Sequence, residues 1–491
     1  MRRELTRLNR RTLLASAGAA ALSAVTGCAT GGVSNREAVR LGPGATGPVQ
    51  GRITAWAWDV AAQALKRMAE KFEARHPGTS IHVRDIGYDN AYDKITVGLR
   101  ADTGLADLLY IEGQRLPSYI GTFPRGLHDL TPLVRRYAAD FDRAAWQTGV
   151  SADGKVFALP WDTGPLALFY RRDLFARAGV DPASLKTWDD YVRAGVAIKE
   201  KTGSKLLIMD PAENDSLFPS LLQQQGQHWF KDGGKVALDT PAAVRALALI
   251  RELGRRDLIR WERGWDGLVT ATKEGKVATA PSAAWWSGTL TGEMPELKGR
   301  FGVLPLPAFG AGGARTSNNG GSSLCIPAQS ENPRLAWAFT RFLLTDKDNL
   351  VSMLRREGLF PAYLPALKDP YLRRPQPYYG GQRAWQVFAD LAPHIPPVEY
   401  TRDGPKAADI AQKAVTAAGM RGADPERELR SAAKQLAGAT GRKEAEAAHS
   451  GARDSAHKRL RRGARPATAT PAARGGRPGA APSRLVPPKR A

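Results

Sequence analysis

The alternation of strand and helix patterns in residues 52–111 is the feature that most restricts the fold. Three apolar runs with strand character, Arg52–Trp58, Ile81–Ile86 and Asp107–Ile111, are separated by two stretches with the amphipathic period of a helix. A strand, helix, strand, helix, strand order predicts a parallel sheet covered by helices. The third run reads as a strand buried on both faces. The fold class is therefore α/β.

The ends of these predicted strands indicate where a ligand would bind. In open α/β sheets the ligand crevice lies beyond the carboxyl ends of the strands. Trp58 and Asp59 follow the first predicted strand, and Glu112 follows the third. Asp59 also precedes an amphipathic helix, so capping that helix is as good an interpretation as ligand contact.

The length of 491 residues predicts more than one core, since single domains rarely grow beyond about 250–300 residues. Two short apolar runs, Val156–Leu159 and Leu166–Tyr170, indicate where the chain passes between cores. The segment between them contains two prolines and a glycine, which interrupt regular structure. Two strands joined in this way suit a hinge, with Trp161 and Asp162 facing a cleft.

The same region resembles a known family. The run PWDTGPLALFYRRDLFARAGVDP at 160–182 and TWDDYV at 187–192 are similar to the hinge of sugar-binding lipoproteins of ABC importers, of the maltodextrin-binding-protein type. A run of this length is far more specific than a short motif. The resemblance covers about residues 50–437. It implies a two-lobed periplasmic-binding-protein fold, each lobe a mostly parallel sheet flanked by helices.

With this resemblance the chain divides into five predicted parts. They are a lipoprotein signal peptide (1–27), a flexible tether (28–51), an N-terminal lobe (52–160 with about 281–327), a C-terminal lobe (165–277 with about 330–437) and a disordered basic tail (438–491).

The first 28 residues predict export. Five arginines precede an Ala-rich apolar stretch that is too short to span a bilayer stably. Val25-Thr26-Gly27-Cys28 resembles a lipobox, which implies that Cys28 receives a diacylglycerol group and becomes the mature N-terminus. Residues 9–14 resemble a twin-arginine signal, and Sec export is also compatible with them. The expected location is the outer face of the bacterial cytoplasmic membrane.

The formal charge of +23 is concentrated at the chain ends. Residues 1–27 carry +4 and residues 442–491 carry +10, which leaves +9 for residues 28–441. Because basic residues do not dominate the predicted body, no nucleic-acid partner is expected. The composition of the tail is typical of a solvated extension, although contact with anionic headgroups or wall polymers stays open.

A sugar has apolar C–H faces and a rim of hydroxyl groups, so its site needs aromatic rings and hydrogen-bonding groups. The candidate binding residues are Trp58, Asp59, Glu112, Trp161, Asp162, Trp285, Trp286, Asn319, Gly321 and Tyr363. Of the two adjacent tryptophans, one is expected in the core and one against the sugar, and the sequence does not decide which. Residues 318–323 resemble the family's glycine-rich approach to the sugar. Tyr363 stands where many relatives carry Arg, which implies stacking.

Two enzyme functions are the alternatives to a binding function. A lipid-anchored glycoside hydrolase would also need aromatic rings and a carboxylate pair. Asp-Thr-Gly occurs at 102–104 and 162–164, as in aspartic proteases, but the flanking patterns predict α/β rather than all-β structure. No Walker loop, dinucleotide fingerprint or metal-ligand spacing occurs, so neither a cofactor nor a metal is expected. Cys325 is expected to be an ordinary core residue.

The sequence therefore predicts a non-enzymatic, monomeric receptor that captures a sugar or short oligosaccharide outside the cell. Because the chain lacks an ATPase motif and a membrane channel, its partners would be the transmembrane subunits of an ABC importer, besides the carbohydrate and the membrane that holds the lipid anchor.

Overall fold

The computed structural model of the protein describes residue 41 and the ranges 48–212 and 217–445. The predicted signal peptide, Cys28, most of the tether and the tail beyond residue 445 lie outside these residues. Within the described ranges, no helix has both the length and the apolar character that crossing a membrane requires.

Twelve strands occur in the described part of the chain: β1 (Gly51–Ala57), β2 (Thr79–Asp85), β3 (Leu108–Glu112), β4 (Ala158–Pro160), β5 (Leu166–Arg171), β6 (Leu207–Met209), β7 (Phe230–Lys231), β8 (Lys235–Val236), β9 (Ile259–Trp261), β10 (Thr279–Ala283), β11 (Phe301–Leu304) and β12 (Ser322–Cys325). The α-helices of the same ranges are α1 (Asp59–Glu73), α2 (Tyr88–Ala101), α3 (Leu116–Thr122), α4 (Thr131–Val134), α5 (Arg143–Thr148), α6 (Arg172–Ala178), α7 (Trp188–Thr202), α8 (Leu217–Gln224), α9 (Pro241–Arg255), α10 (Gly264–Lys273), α11 (Trp286–Glu293), α12 (Pro333–Leu344), α13 (Lys347–Glu357), α14 (Ala384–Leu391), α15 (Gly404–Arg421) and α16 (Pro425–Thr440).

The first sheet has five strands in the order β2-β1-β3-β12-β4. β1 lies parallel to both β2 and β3, which confirms the predicted strand-helix alternation, while β12 runs antiparallel to β3 and β4. The helix after β1 buries the face that its periodicity predicts: Ala61, Ala64, Leu65, Met68 and Phe72. Cys325 on β12 is fully buried, as expected for a core residue.

The second group of strands consists of the three-stranded sheet β10-β5-β11 and the two-stranded sheet β6-β9, and its strand directions are mixed. β6 and β9 are parallel, whereas β10 and β11 flank β5 and both run antiparallel to it. The mostly parallel arrangement expected here therefore holds only for β6 and β9. β10 and β11 run in the direction opposite to β5. Parallel neighbours have to be joined by a crossover connection, usually a helix, whereas antiparallel neighbours do not. Thr187 forms the predicted capping box with Asp190 at the start of α7.

The chain passes between the two groups of strands at two neighbouring segments. β4 belongs to the first sheet and β5 to the second, so residues 161–165 form one crossing segment, where the sequence predicts it. The return segment lies between β11 and β12 and runs beside the first. Asn319 N donates to Gly164 O at 2.8 Å, and Leu166 N donates to Ser317 O at 2.9 Å. A Cβ on Gly164 would overlap the carbonyl oxygen of Asn319, so this close approach requires glycine.

Two features of the packing differ from the predicted lobe assignment. β11, predicted with the N-terminal lobe, pairs with β5, and only β12 of the range 281–327 joins the first sheet. α12 and α13, predicted with the C-terminal lobe, pack in the core of the first sheet, and Arg67 on α1 forms a 2.6 Å ion pair with Glu357 on α13. An amphipathic helix shows which of its own faces is buried, but not which sheet covers it.

The predicted boundaries of the tether and the tail also need correction. Gly51, predicted in the tether, is the first residue of β1. α16 continues to Thr440, and the chain after it pairs with β8, where Val236 N donates to Lys443 O at 2.9 Å. Arg442 Nε donates to an oxygen of Asp403 at 2.7 Å. Residues 438–445 are thus part of the folded body, because this backbone pairing and the ion pair stabilise them.

Candidate functional site

A cavity of 230 Å³ lies where strands of both groups end. Trp58 and Asp59 follow β1, Glu112 ends β3, Asp210 follows β6 and Glu262 follows β9. The carboxyl ends of parallel strands from both groups therefore border the same cavity, as the strand-end rule predicts for ligand sites. Six carboxylates line it: Asp59, Asp89, Glu112, Asp162, Asp210 and Glu262.

Aromatic rings form much of the remaining lining. Trp58 is packed edge-on by Tyr110 at 4.8 Å and by Tyr88 at 5.9 Å between ring centroids. The ring centroid of Trp265 lies 5.9 Å from that of Trp285. Such rings offer flat apolar faces next to the hydrogen-bonding oxygens of the carboxylates.

Asp59 does not act as a side-chain cap. Trp58 holds the cap position of α1, Asp59 is the first helical residue, and no side chain makes a capping hydrogen bond. The backbone of Asp59 has φ of 46°, in the left-handed region that Asp and Asn tolerate better than other side chains. Burial is the largest cause that raises its pKa to about 6, and four neighbouring carboxylates add to the effect: Asp85, Asp89, Asp266 and Glu293. The geometry therefore favours ligand contact over capping.

Glu112 is held in place by one side chain from α2 and one from the connection between β3 and α3. The Tyr92 hydroxyl donates to its Oε2 at 2.6 Å, and Gln114 Nε2 donates to the same atom at 3.3 Å. The Arg115 guanidinium lies 4.5 Å from the centre of the Tyr92 ring. Glu112 is thus an oriented acceptor, with Oε1 free of these two bonds.

Asp162 lies in the first crossing segment and is 1% exposed. Its Oδ1 accepts a 3.0 Å hydrogen bond from the backbone N–H of Ser322 on β12. Burial raises its pKa to about 8, partly offset by that hydrogen bond and reinforced by the charge of Glu112. Asp162 is therefore largely protonated at neutral pH, when its hydroxyl can donate a hydrogen bond.

The two adjacent tryptophans both line the cavity, but to different degrees. Trp286 is 1% exposed and belongs to the core beneath the cavity, whereas Trp285 is half-buried. Trp285 Nε1 donates to Asn319 O at 3.0 Å, and the indole N–H of Trp286 has no acceptor among the described residues. Trp285 is thus the tryptophan of this pair whose ring a ligand can contact.

The loop before β12 brings its backbone to the cavity, where the sequence predicts it. Asn319 and Gly321 both line it. Gly321 has φ of 82°, and a Cβ there would lie 3.1 Å from the carbonyl oxygen of Asp162. Glycine is therefore required both for this backbone conformation and for the approach to the crossing segment.

Two predicted site residues do not line this cavity. Trp161 is fully buried and packs against Tyr110 at 5.3 Å in the core of the first sheet. Tyr363 lies 5.2 Å from Phe141, on that same core. In an extended segment, successive side chains point to opposite sides, so the placement of Asp162 at the cavity turns Trp161 away from it.

Among the aromatic and acidic residues that line the cavity, six are absent from the sequence-based prediction: Tyr88, Asp89, Tyr110, Asp210, Glu262 and Trp265. Asp210 could have been predicted from the sequence, because it follows a predicted strand and the strand-end rule that selects Asp59 also selects Asp210. Asp89 and Trp265 lie near the starts of α2 and α10, and their positions depend on how these helices approach the cavity. No sequence pattern marks them.

The two Asp-Thr-Gly segments do not meet at the cavity. In the described ranges, no group of three or more His, Cys, Asp or Glu side chains could hold a metal ion. Asp102 of the first Asp-Thr-Gly is exposed at the end of α2 and does not line the cavity, whereas Asp162 of the second is buried there. The two carboxylates therefore do not share a proton as an aspartic protease requires.

Two groups of strands that present their carboxyl ends to one cavity define a two-lobed ligand-binding protein of the periplasmic type. The chain belongs to the bacterial extracellular solute-binding protein family, whose model matches residues 57–349.

Two curated relatives are named for the sugars that they bind. The chain is 27% identical over 370 residues to a lactose-binding protein of Rhizobium radiobacter, covering 72% of this chain and 85% of the relative. It is 26% identical over 375 residues to an arabinooligosaccharide-binding protein of Bacillus subtilis, covering 74% of this chain and 86% of the relative.

Solved structures share the fold. An ABC transporter associated binding protein from B. animalis subsp. lactis Bl-04, in complex with beta-1,6-galactobiose, superposes with a TM-score of 0.72 at 24% identity, covering 80% of this chain and 98% of that one. A maltose-bound protein of T. maritima gives a TM-score of 0.67 at 23% identity, covering 78% and 98%. The expected two-lobed α/β fold is confirmed.

Proposed function

We propose that this protein is the binding component of an ABC importer and captures a sugar or short oligosaccharide outside the cell. The observation that carries the proposal is the cavity itself, where aromatic rings from Trp58, Trp265 and Trp285 lie beside six acidic side chains and a backbone loop. Rings suit the C–H faces of a sugar, and carboxylates accept from its hydroxyl groups, each such bond contributing about 1.5–3 kcal/mol. The names of the relatives support the same ligand class.

The crossing segments suit a receptor that closes around its ligand. In the described part of the chain, the backbone passes between the two groups of strands at residues 161–165 and at the return segment after β11. It passes once more after α13, on the way to α14, α15 and α16. Closure would be driven by contacts that the ligand makes in the closed form alone. Ligand release to the transmembrane subunits would then follow reopening.

The proposed receptor leaves its ligand unaltered. Nothing in the family or in the comparisons supports the hydrolase alternative. The direct test incubates the protein with a panel of neutral mono- and oligosaccharides and follows both the melting temperature and the product composition. A dose-dependent rise in melting temperature without new products is expected. Release of smaller sugars would contradict the receptor and favour the hydrolase.

We propose that the receptor is monomeric and tied to the membrane through a lipid on Cys28. The lipobox-like sequence at 25–28 is the support for the anchor, and it lies outside the described residues. Cys28→Ala should move the protein from the membrane fraction to the soluble fraction of the cell envelope. Unchanged fractionation of that variant would contradict the proposed anchor. Elution as a dimer from a sizing column would contradict the proposed monomer.

A further inference from the structure

The lining of the cavity has one sign of charge. Besides the neutral carboxyl of Asp162, five carboxylates reach it from separate parts of the chain, and none of the described residues that line it is Lys, Arg or His. Residues 28–441 carry a net charge of +9, so this distribution runs against the composition of the body of the chain. A low-dielectric cleft lined by one sign of charge focuses the field and attracts the opposite charge.

Some of these carboxylates are compensated within the protein. Glu262 forms a 2.5 Å ion pair with Arg260, and Glu112 accepts from Tyr92 and Gln114. Asp210 accepts backbone hydrogen bonds from Ala212 and Gly264, each at 2.7 Å.

Asp59 and Asp89 lack such compensation. Neither side chain forms an ion pair or a hydrogen bond with any of the described residues. Asp59 is half-buried in the cavity, and Asp89 is exposed at its rim, where Oδ2 faces Gly264, 3.7 Å from where a Cβ on that glycine would lie. Holding a partly buried carboxylate beside a second one without a counter-charge is costly, so a ligand that supplies the counter-charge would gain affinity.

Aromatic rings stand next to this uncompensated pair. Trp58 precedes Asp59 and Tyr88 precedes Asp89, while Trp265 also lines the cavity. A cation held near a Trp or Tyr face is attracted by the ring quadrupole. The indole N–H of Trp286, which has no acceptor among the described residues, adds a buried donor suited to a hydroxyl oxygen. Carboxylates, ring faces and a donor together fit a polyhydroxylated organic cation.

We propose that the cavity is selective for a protonated amino sugar, either free or within a short oligosaccharide, with its ammonium group between Asp59 and Asp89. This rests on the proposed function, since it specifies which carbohydrates the receptor binds. A bare divalent metal ion fits less well, because no metal-binding group of side chains exists in the described ranges.

The test compares amino sugars with their neutral parents by calorimetry near neutral pH: glucosamine, galactosamine and mannosamine against glucose, galactose and mannose, and chitosan disaccharide against its N-acetylated form. N-acetylation removes the charge and keeps the ring. We expect at least one amino sugar to bind about tenfold or more tightly than its neutral counterpart, an advantage that about 0.5 M salt reduces.

Variants of the two aspartates test where the ammonium group of the sugar binds. Asp59→Asn and Asp89→Asn should each weaken amino-sugar binding more than binding of the neutral parent, so that most of the preference between the two is lost. Asp102→Asn is the matched control, because Asp102 is also an aspartate with positive φ, at 53°, but is exposed and outside the cavity. The control should bind both sugars as the parent protein does.

The outcomes separate this inference from the proposed function. Equal or tighter binding of every neutral counterpart, or an amino-sugar preference that neither Asp variant changes, would overturn the inference and leave the sugar receptor intact. Failure of both series to bind, with the fold intact, would overturn both.

Discussion

Trp285 Nε1 donates a 3.0 Å hydrogen bond to the carbonyl oxygen of Asn319, and this bond joins the start of α11 to the loop that leads into β12. β10, which precedes Trp285, belongs to the second group of strands, whereas β12 belongs to the first. The ring orientation at the cavity is therefore set by the return crossing segment.

Truncation of this ring should affect binding more than stability. Trp285→Ala removes a half-buried ring at the cavity, and we expect affinity for the bound sugar to fall at least about tenfold. Trp285→Phe keeps a ring but loses the hydrogen bond to Asn319, so an intermediate loss is expected. Calorimetric titration measures both, with circular dichroism as the check on folding. Trp56→Ala, at a half-buried Trp outside the cavity, is the control and should leave affinity unchanged.

Affinity should also depend on the ionisation of Asp59. Its pKa is raised to about 6 by burial and by the carboxylates of Asp85, Asp89, Asp266 and Glu293, and no cation is among the causes. If the ligand donates to this carboxylate or carries positive charge, binding is strong above the pKa and weakens as pH falls through it. Affinity measured from about pH 7 to about pH 5 should therefore decrease.

The Asp59→Asn variant provides the check on this pH dependence. Its affinity should already be low near neutral pH and should change little over the same interval. Asn is the appropriate substitution, because it tolerates the positive φ of this position, whereas Ala would add backbone strain. A pH profile that is the same in the variant and the parent protein would contradict the role of Asp59.

The strand-end rule explains how much of this site the sequence could predict. Trp58, Asp59 and Glu112 follow from it, because the alternation of strands and helices in the first sheet is readable from hydrophobic periodicity. Asp210 obeys the same rule at the end of β6 in the second group of strands. Trp161, which the sequence predicts at the cleft, does not line the cavity, since a one-residue alternation in a crossing segment decides which side chain faces it.

Tertiary packing decides the remainder. The sequence shows that α12 and α13 are amphipathic, but their apolar faces would cover either sheet equally well, so their packing on the first sheet could not be read from it. Likewise Trp285 and Trp286 are adjacent at the start of α11, where successive side chains point in different directions, and only the packing of α11 decides which of them is buried.

The buried carboxyl of Asp162 should make stability depend on pH. Its folded pKa, raised to about 8, lies above its ordinary value of 3.8, so the folded state binds more protons than the unfolded state between these values. The contribution of Asp162 to the free energy of unfolding is therefore present at low pH and is lost as pH rises from about 4 to about 8.

Replacement of Asp162 by Asn tests this linkage. The amide oxygen can still accept from Ser322 N, and the side chain no longer ionises. Asp162→Asn should therefore raise the melting temperature at about pH 8 relative to the parent protein, with the difference disappearing near about pH 4. An equal melting temperature at both ends of the interval would show that the carboxyl does not carry this penalty.

The contact between the two crossing segments should be intolerant of any added side chain. A Cβ on Gly164 would overlap the carbonyl oxygen of Asn319 and lie 2.6 Å from its carbonyl carbon, so Gly164→Ala must push the return segment away from the first. Overpacking against backbone of this kind typically costs about 1–3 kcal/mol of unfolding free energy. Because the return segment carries Asn319 and Gly321 to the cavity, Gly164→Ala should also weaken sugar binding.

A second glycine substitution separates this overpacking from the general effect of replacing glycine by alanine. Gly292 lies in α11, and no atom of the described residues lies within 4 Å of the place that its Cβ would take. Gly292→Ala should therefore stabilise the protein by about 0.5–1 kcal/mol, since alanine loses less backbone entropy in a helix. Urea unfolding measures both variants. If Gly164→Ala proved as stable and as tightly binding as the parent protein, the close packing of the crossing segments would be contradicted. The atoms nearest to a Cβ on Gly164 all belong to the return segment, so this packing is the reason for glycine here.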